Sequence, residues 1–220
     1  MINIADKAVH SQITLQEQMK KVGHRMSNSN TIGHKGEFSV SVADKIMKPY
    51  GGEDVFYKTI QYIDLTPGEL KPTGAPLDLA LAGEKVFFQV QDPNTQELFL
   101  TRNGSFHLNN QGQMVNGQGF LLQSNGGGVD IPLNAQEVVV NAKGDIIVDG
   151  NILTRIAVVL PENERDLQIH KSGNFIVQGN VEVGEQYEVF QGFLEMSNVS
   201  PIKDTVLMQR YIQESMMVRK

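Results

Sequence analysis

Twenty of the 21 glycines in this chain lie between Gly33 and Gly192; only Gly23 precedes them and none follows. Glycine weakens helices and supplies the backbone conformations that tight turns need. The distribution therefore calls for helical ends around a turn-rich middle. At 220 residues the chain is long enough to bury a substantial core. The expected fold class is α+β: a mainly antiparallel β domain over 36–192, an N-terminal helix and turn over 1–35, and a C-terminal helical segment over 193–220. The two end segments form a helical assembly domain in which the helices pair as a coiled-coil-like bundle.

Charge divides the chain in the same way. Residues 1–35 carry five basic and two acidic side chains, residues 200–220 carry four and two, and residues 36–199 carry ten and 21. The ends are thus +3 and +2 and the middle is −11. Such a middle argues against nucleic-acid binding, which needs a surplus of Lys and Arg on one face. There is no apolar run near the roughly 18 residues of a membrane span. Cysteine is absent, which excludes disulfides, thiolate nucleophiles and cysteine-based metal sites. Asp6, Lys7, His10, Glu17 and Lys20 punctuate the first 26 residues, so no cleavable signal is expected there.

On a helical wheel over Ile4 to Met26, Ile4, Ala5, Ala8, Val9, Leu15, Met19, Val22 and Met26 share one broad side, with Asp6, Lys7, His10, Glu17 and Lys21 opposite. This stripe is wider than the seam of a two-stranded coiled coil and asks for more than one neighbour. The last helix starts at Ser200-Pro201, because serine caps and proline suits the first helical position. Ile202, Val206, Leu207, Met208, Tyr211, Ile212, Met216 and Met217 then occupy nearly every side of it, as in a helix surrounded by protein.

Within the middle, runs such as Leu77 to Leu81, Val86 to Val90 and Glu97 to Thr101 read as strands. Further candidates are Glu137 to Val140, Ile146 to Val148, Ile156 to Leu160, Phe175 to Gln178 and Glu188 to Glu195. Asn103-Gly104, Asn110-Gln111-Gly112, Asn116-Gly117 and Lys143-Gly144-Asp145 tolerate positive φ and predict tight hairpins. No long helix is expected inside this region.

The residues that would carry chemistry lack the required spacing. His10, His24, His34, His107 and His170 never form the HxxxH or HExxH pair that sets two ligands on one helix face. Gly117-Gln118-Gly119 leads into the strand-like Phe120-Leu121-Leu122, not into the helix a phosphate cradle requires. Asp145 and Asp149 are a carboxylate pair able in principle to work at a glycosidic bond, although 21 acidic side chains make near neighbours commonplace. No catalytic, cofactor or metal site and no small-molecule substrate is expected.

Several blocks, in order along the chain, resemble one family. Asn28-Ser29-Asn30-Thr31-Ile32-Gly33-His34-Lys35 is similar to the segment that closes the first helix of the flagellar rod and hook family of axial proteins. Arg25 stands where that pattern has Asn, Ser27 where it has Ala and His34 where it has an aromatic; Asn28, Thr31, Gly33 and Lys35 match. Thr73-Gly74-Ala75-Pro76-Leu77-Asp78-Leu79-Ala80-Leu81 with Phe87-Phe88-Gln89-Val90 resembles a longer and more specific stretch of the same family. Thr101-Arg102-Asn103-Gly104-Ser105-Phe106, then Gln191-Gly192-Phe193-Leu194-Glu195-Met196-Ser197-Asn198-Val199, and Gln209-Arg210-Tyr211 complete the likeness.

The resemblance implies a structural subunit of the flagellar rod, with copies of itself, other rod and hook proteins and the flagellar type III export apparatus as partners. It also implies export without a cleaved signal peptide, to a rod that spans the periplasm. The short chain and single compact middle look like rod members and unlike the larger hook protein. The expected assembly interface comprises Ile4, Ala8, Leu15, Met19, Val22, Met26, Asn28, Thr31 and Gly33 at one end. At the other it comprises Ile202, Val206, Gln209, Tyr211 and Met216. Two readings from other classes compete with it: a periplasmic or secreted β-domain enzyme, and a monomeric adaptor that binds a protein through its terminal helices.

Overall fold

The computed structural model describes residues 4–47 and 53–218. The chain forms two compact units, one built from Met1–Ser29, Gly36–Asp64 and Val199–Lys220, the other from Asn30–Lys35 and Leu65–Asn198. The first is called the helical unit here and the second the β unit.

In the helical unit, α1 spans Ile4–Ser27 and α2 spans Pro201–Val218, and the two pack against each other. Proline occupies the first position of α2, where its missing N–H leaves no bond unmade. Side chains close the end of α1: Asn28 Nδ2 donates to the His24 carbonyl at 2.9 Å and Ser27 Oγ donates to the Gly23 carbonyl at 3.0 Å. A long antiparallel ribbon completes the unit, β1 (Glu37–Met47) against β2 (Glu53–Ile63), in register from Glu37↔Ile63 to Met47↔Glu53. The sequence reading placed these residues with the β middle. Their alternation of Phe38, Val40 and Val42 with Ser39 and Ser41 is the period of two that a ribbon requires, and the ribbon groups with the helices because β1 packs on α1.

The β unit contains short strands joined by tight turns. In chain order they are β3 (Leu70–Pro72), β4 (Leu79–Ala82), β5 (Phe87–Gln91), β6 (Leu98–Thr101), β7 (Phe106–Leu108), β8 (Met114–Asn116) and β9 (Leu121–Ser124). There follow β10 (Gly127–Gly128), β11 (Val138–Val140), β12 (Asp145–Val148), β13 (Asn151–Arg155) and β14 (Val158–Pro161). The last are β15 (Leu167–Ile169), β16 (Phe175–Val177), β17 (Val181–Val183), β18 (Glu188–Gln191) and β19 (Phe193–Glu195). The main sheet runs β15-β16-β6-β5-β9-β8-β7, with β14 bridging β5 and β17; β11-β12-β13, β18-β4 and β19-β3 pair separately. Every strand pair is antiparallel, as the hairpin signals predict.

One continuous core fills this unit, with Leu79, Phe88, Val90, Phe99, Phe106, Met114, Leu122, Ile146, Ile156 and Val189 buried. Phe88 and Phe106 meet edge to face at 5.6 Å, the arrangement that aromatic quadrupoles favour. Asn103-Gly104 does not form the tight hairpin that its sequence suggests, since β6 and β7 do not pair and Gly104 has no positive φ; glycine is required there because a Cβ would stand 1.6 Å from the Leu79 carbonyl oxygen.

The chain limits of the β unit differ from the 36–192 boundary read in the sequence. Segment 30–35 belongs to it, since the Gly33 N–H donates to the Glu195 carbonyl at 2.7 Å, and so does β19, which covers β3. A fragment of residues 37–192 removes both, leaving β3 with its ladder exposed. A fragment of residues 30–198 should therefore show one cooperative thermal transition with native near-ultraviolet dichroism, and the 37–192 fragment should not. Equal transitions in both fragments would contradict the boundary.

Candidate assembly interface

Among the described residues of the helical unit, the most exposed apolar side chains lie on α2. Ile202 is 80% exposed, Val206 63%, Met216 63% and Met217 68%, with Gln209 exposed beside them and Tyr211 half-buried. Burying a side chain of this size is worth about 1.5–3 kcal/mol, so the row is a substantial unmet demand for contact. On α1, Val22 is 2% exposed, while Leu15, Met19 and Met26 are half-buried. These four belong to the packing of the helical unit more than to its open surface. Ile4 and Ala8 fall within α1, but their side chains lie outside the described residues. On the ribbon, Phe38, Val40 and Val42 are exposed in a row, and Phe38 stacks on its cross-strand partner Tyr62 at 5.6 Å.

An ion pair joins the helices. Arg25 Nε donates to Asp204 Oδ2 at 3.0 Å and its Nη2 donates to Oδ1, while Nη1 reaches the Glu37 carbonyl at 3.5 Å. Asp204 is 2% exposed and sits in the first turn of α2, where a carboxylate is favoured by the helix dipole. Lys21 and His24 approach the Glu37 carboxylate at 3.8 and 3.5 Å, and Gln18 Nε2 donates to the Ser39 carbonyl at 2.8 Å. Charged and polar groups of α1 thus hold one edge of β1.

The remaining interface candidates, Asn28, Thr31 and Gly33, have separate structural tasks. Asn28 caps α1, and Thr31 is exposed with its carbonyl accepting from the His34 N–H at 3.2 Å. Gly33 is buried in the β unit at φ +67, and a Cβ on it would stand 2.3 Å from Asn103 N. Glycine is required there on both counts.

Beside Gly33 lies a cluster of charges that sequence reasoning did not assemble. Glu195 is wholly buried; its Oε1 accepts from Lys35 Nζ at 2.7 Å and from the Gly68 N–H at 2.8 Å, and its Oε2 accepts from Arg102 Nε at 2.6 Å. Arg102 spends its other donors on the carbonyls of Leu81, Gly83 and Val86, and Lys35 donates to that of Thr66 at 2.6 Å. Each buried charge is thereby paired and hydrogen-bonded, the condition under which burial is tolerated. The signal in the sequence was that Lys35, Arg102 and Glu195 each fall inside a quoted motif, but nothing local shows that they meet.

Asp145 and Asp149, the carboxylate pair considered for acid–base work, serve turns. Asp145 accepts from Arg155 Nε at 2.5 Å and from Asn141 Nδ2 at 3.0 Å; those hydrogen bonds, Arg155 first, hold its carboxyl below the usual carboxylate range. Asp149 Oδ1 accepts from the backbone N–H groups of Gln136 and Glu137, each at 2.9 Å. His107 points out of β7 into solvent, as its alternation with Phe106 and Leu108 predicts.

A family model described as flagellar hook protein FlgE/F/G D1 domain matches residues 80–148. The flagellar basal-body rod protein FlgF of Caulobacter vibrioides is 30% identical over 201 residues, covering 87% of this chain and 80% of that protein. FlgF of Rhizobium meliloti is 26% identical over 208 residues, covering 90% of this chain and 82% of that protein. The flagellar basal-body rod protein FlgG of Bacillus subtilis is 30% identical over 152 residues, and this chain spans 56% of its length.

Two outcomes are expected. Glu195→Gln leaves two buried cations facing each other and should cost about 3–5 kcal/mol, seen in calorimetry as a large fall in the β-unit transition, whereas Lys35→Met keeps the Arg102–Glu195 pair and should cost far less. The lowered Asp145 value means that its contribution to stability is present above about pH 4 and lost as pH falls through the lowered value. Asp145→Asn should remove that part of the acid sensitivity, as read from thermal midpoints between pH 2 and 6.

Proposed function

This chain belongs to the flagellar basal-body rod protein family and is FlgF-like, and from that premise we propose that it is a structural subunit of the flagellar basal-body rod. It works by assembling through its terminal helices into the axial shaft that transmits torque, and it catalyses no reaction. Its partners are further copies of itself and other rod and hook proteins. It occupies the rod that spans the periplasm, in the proximal part in preference to the distal part, after export by the flagellar type III apparatus without a cleaved signal peptide.

The observation that carries this reading is the row Ile202, Val206, Met216 and Met217 on α2, exposed on a helix that packs on α1. Two helices cannot bury every side of each other. What α1 leaves open on α2 is available to helices of neighbouring subunits, giving a coiled-coil-like bundle in which Leu15, Met19, Val22 and Met26 hold the pair and Ile202, Val206, Gln209, Tyr211 and Met216 meet the neighbours. Repeated head-to-tail contacts of this kind extend into an open helical assembly. Isolated helices of this length are marginal in water, so burial against neighbours would stabilise them as the shaft grows.

Val206→Asp tests the reading, since it places a charge on the open row of α2 and leaves the residues of the β unit unchanged. Rod incorporation and motility should be lost, with the thermal transition of the β unit unchanged. Normal motility with this variant would contradict the proposal.

A further inference from the structure

The apolar surface of α2 does not by itself choose a neighbour. Hydrophobic attraction is non-directional, and Ile202, Val206, Ile212, Met216 and Met217 are exposed in succession along the helix. A helix of this kind can slip by a heptad along α1, or take a helix of another copy, while burying similar area.

Arg25 and Asp204 remove that freedom. The Asp204 carboxylate is 2% exposed and receives both Nε and Nη2 of Arg25, whose Nη1 also reaches the Glu37 carbonyl, so α1, α2 and β1 meet at one guanidinium. The planar fork of arginine fits a carboxylate in a single geometry, which a lysine could not reproduce. The other acid of α2, Glu214, is engaged on its own helix, accepting from Arg210 at 2.9 Å. A shifted pairing would leave Asp204 buried against apolar side chains, a penalty that falls on wrong arrangements alone. Arg25 also stands where the family motif has Asn, so the resemblance does not by itself imply this contact.

We propose that the Arg25–Asp204 pair is the specificity element of the helix bundle, fixing the register and the intrachain choice of partner that the apolar faces leave open. This rests on reading the terminal helices as the assembly surface, and it is tested separately from that reading in the purified full-length chain.

The absence of cysteine allows clean reporters. A Cβ at Gly23 would lie 3.9 Å from Met208 Cε, so Gly23→Cys with Met208→Cys reports the native register to a short bismaleimide linker. Gly23→Cys with Ser215→Cys reports a shift of one heptad. Arg25→Asp, or Asp204→Arg, should lower capture at position 208 about tenfold and raise capture at position 215 or between chains. The double exchange Arg25→Asp with Asp204→Arg should restore capture at 208, and Arg25→Lys should restore it in part. Unchanged capture in the single variants overturns the proposal. So does loss at 208 with no gain elsewhere, which marks simple unfolding, and so does a double exchange that fails to recover. Motility of the Val206→Asp variant bears on the assembly reading alone, so the two can fail independently.

Discussion

Glu195 is the side chain on which the β unit closes. It is wholly buried and holds Lys35 and Arg102, residues 160 and 93 positions away in sequence. A buried ion cluster adds little net stability over apolar side chains of equal volume, but losing its single anion leaves two uncompensated cations in the interior. Its effect is therefore conditional: segment 30–35, the end of β6 and β19 must all be in place for any of them to be. The backbone follows the same line, with Gly33 donating to the Glu195 carbonyl and Asn198 to that of His34 at 3.4 Å. The segments that continue into α1 and α2 thus leave the β unit side by side.

Much of this was legible in the sequence because the signals were local. Ser200-Pro201 marks the start of α2, Asn110-Gln111-Gly112 marks the turn between β7 and β8 with Gly112 at φ 82, and the run Val86 to Val90 overlaps β5. What could not be read locally was pairing. Nothing near Arg25 points to Asp204, 179 residues on, yet the guanidinium donates to that carboxylate. The ribbon of β1 and β2 shows the intermediate case. No strand was expected over 37–63, although Phe38, Val40 and Val42 alternate with serines there, and the ribbon's attachment to α1 depends on Gln18, Lys21, His24 and Arg25 meeting β1 through space. Asp145 and Asp149 show the converse, since carboxylates that stand out by spacing prove to be turn acceptors once their donors are in view.

The two units divide the physical labour. The β unit buries a continuous apolar core and satisfies its interior charges within itself. The helical unit joins its members through helix packing, the β1–β2 ladder and the Arg25–Asp204 ion pair, and leaves Ile202, Val206, Met216 and Met217 in water. A β unit that buries its own core, in one chain with helices that leave apolar side chains in water, fits the proposed subunit whose last burial step occurs on assembly.

Amide hydrogen exchange along α2, compared between the free subunit and the assembled rod, tests that claim most directly. The account predicts that amides of residues 202–217 exchange readily in the free subunit and become strongly protected in the rod, while amides of β5 and β9 are protected equally in both. Equal protection of α2 in the two states would contradict it.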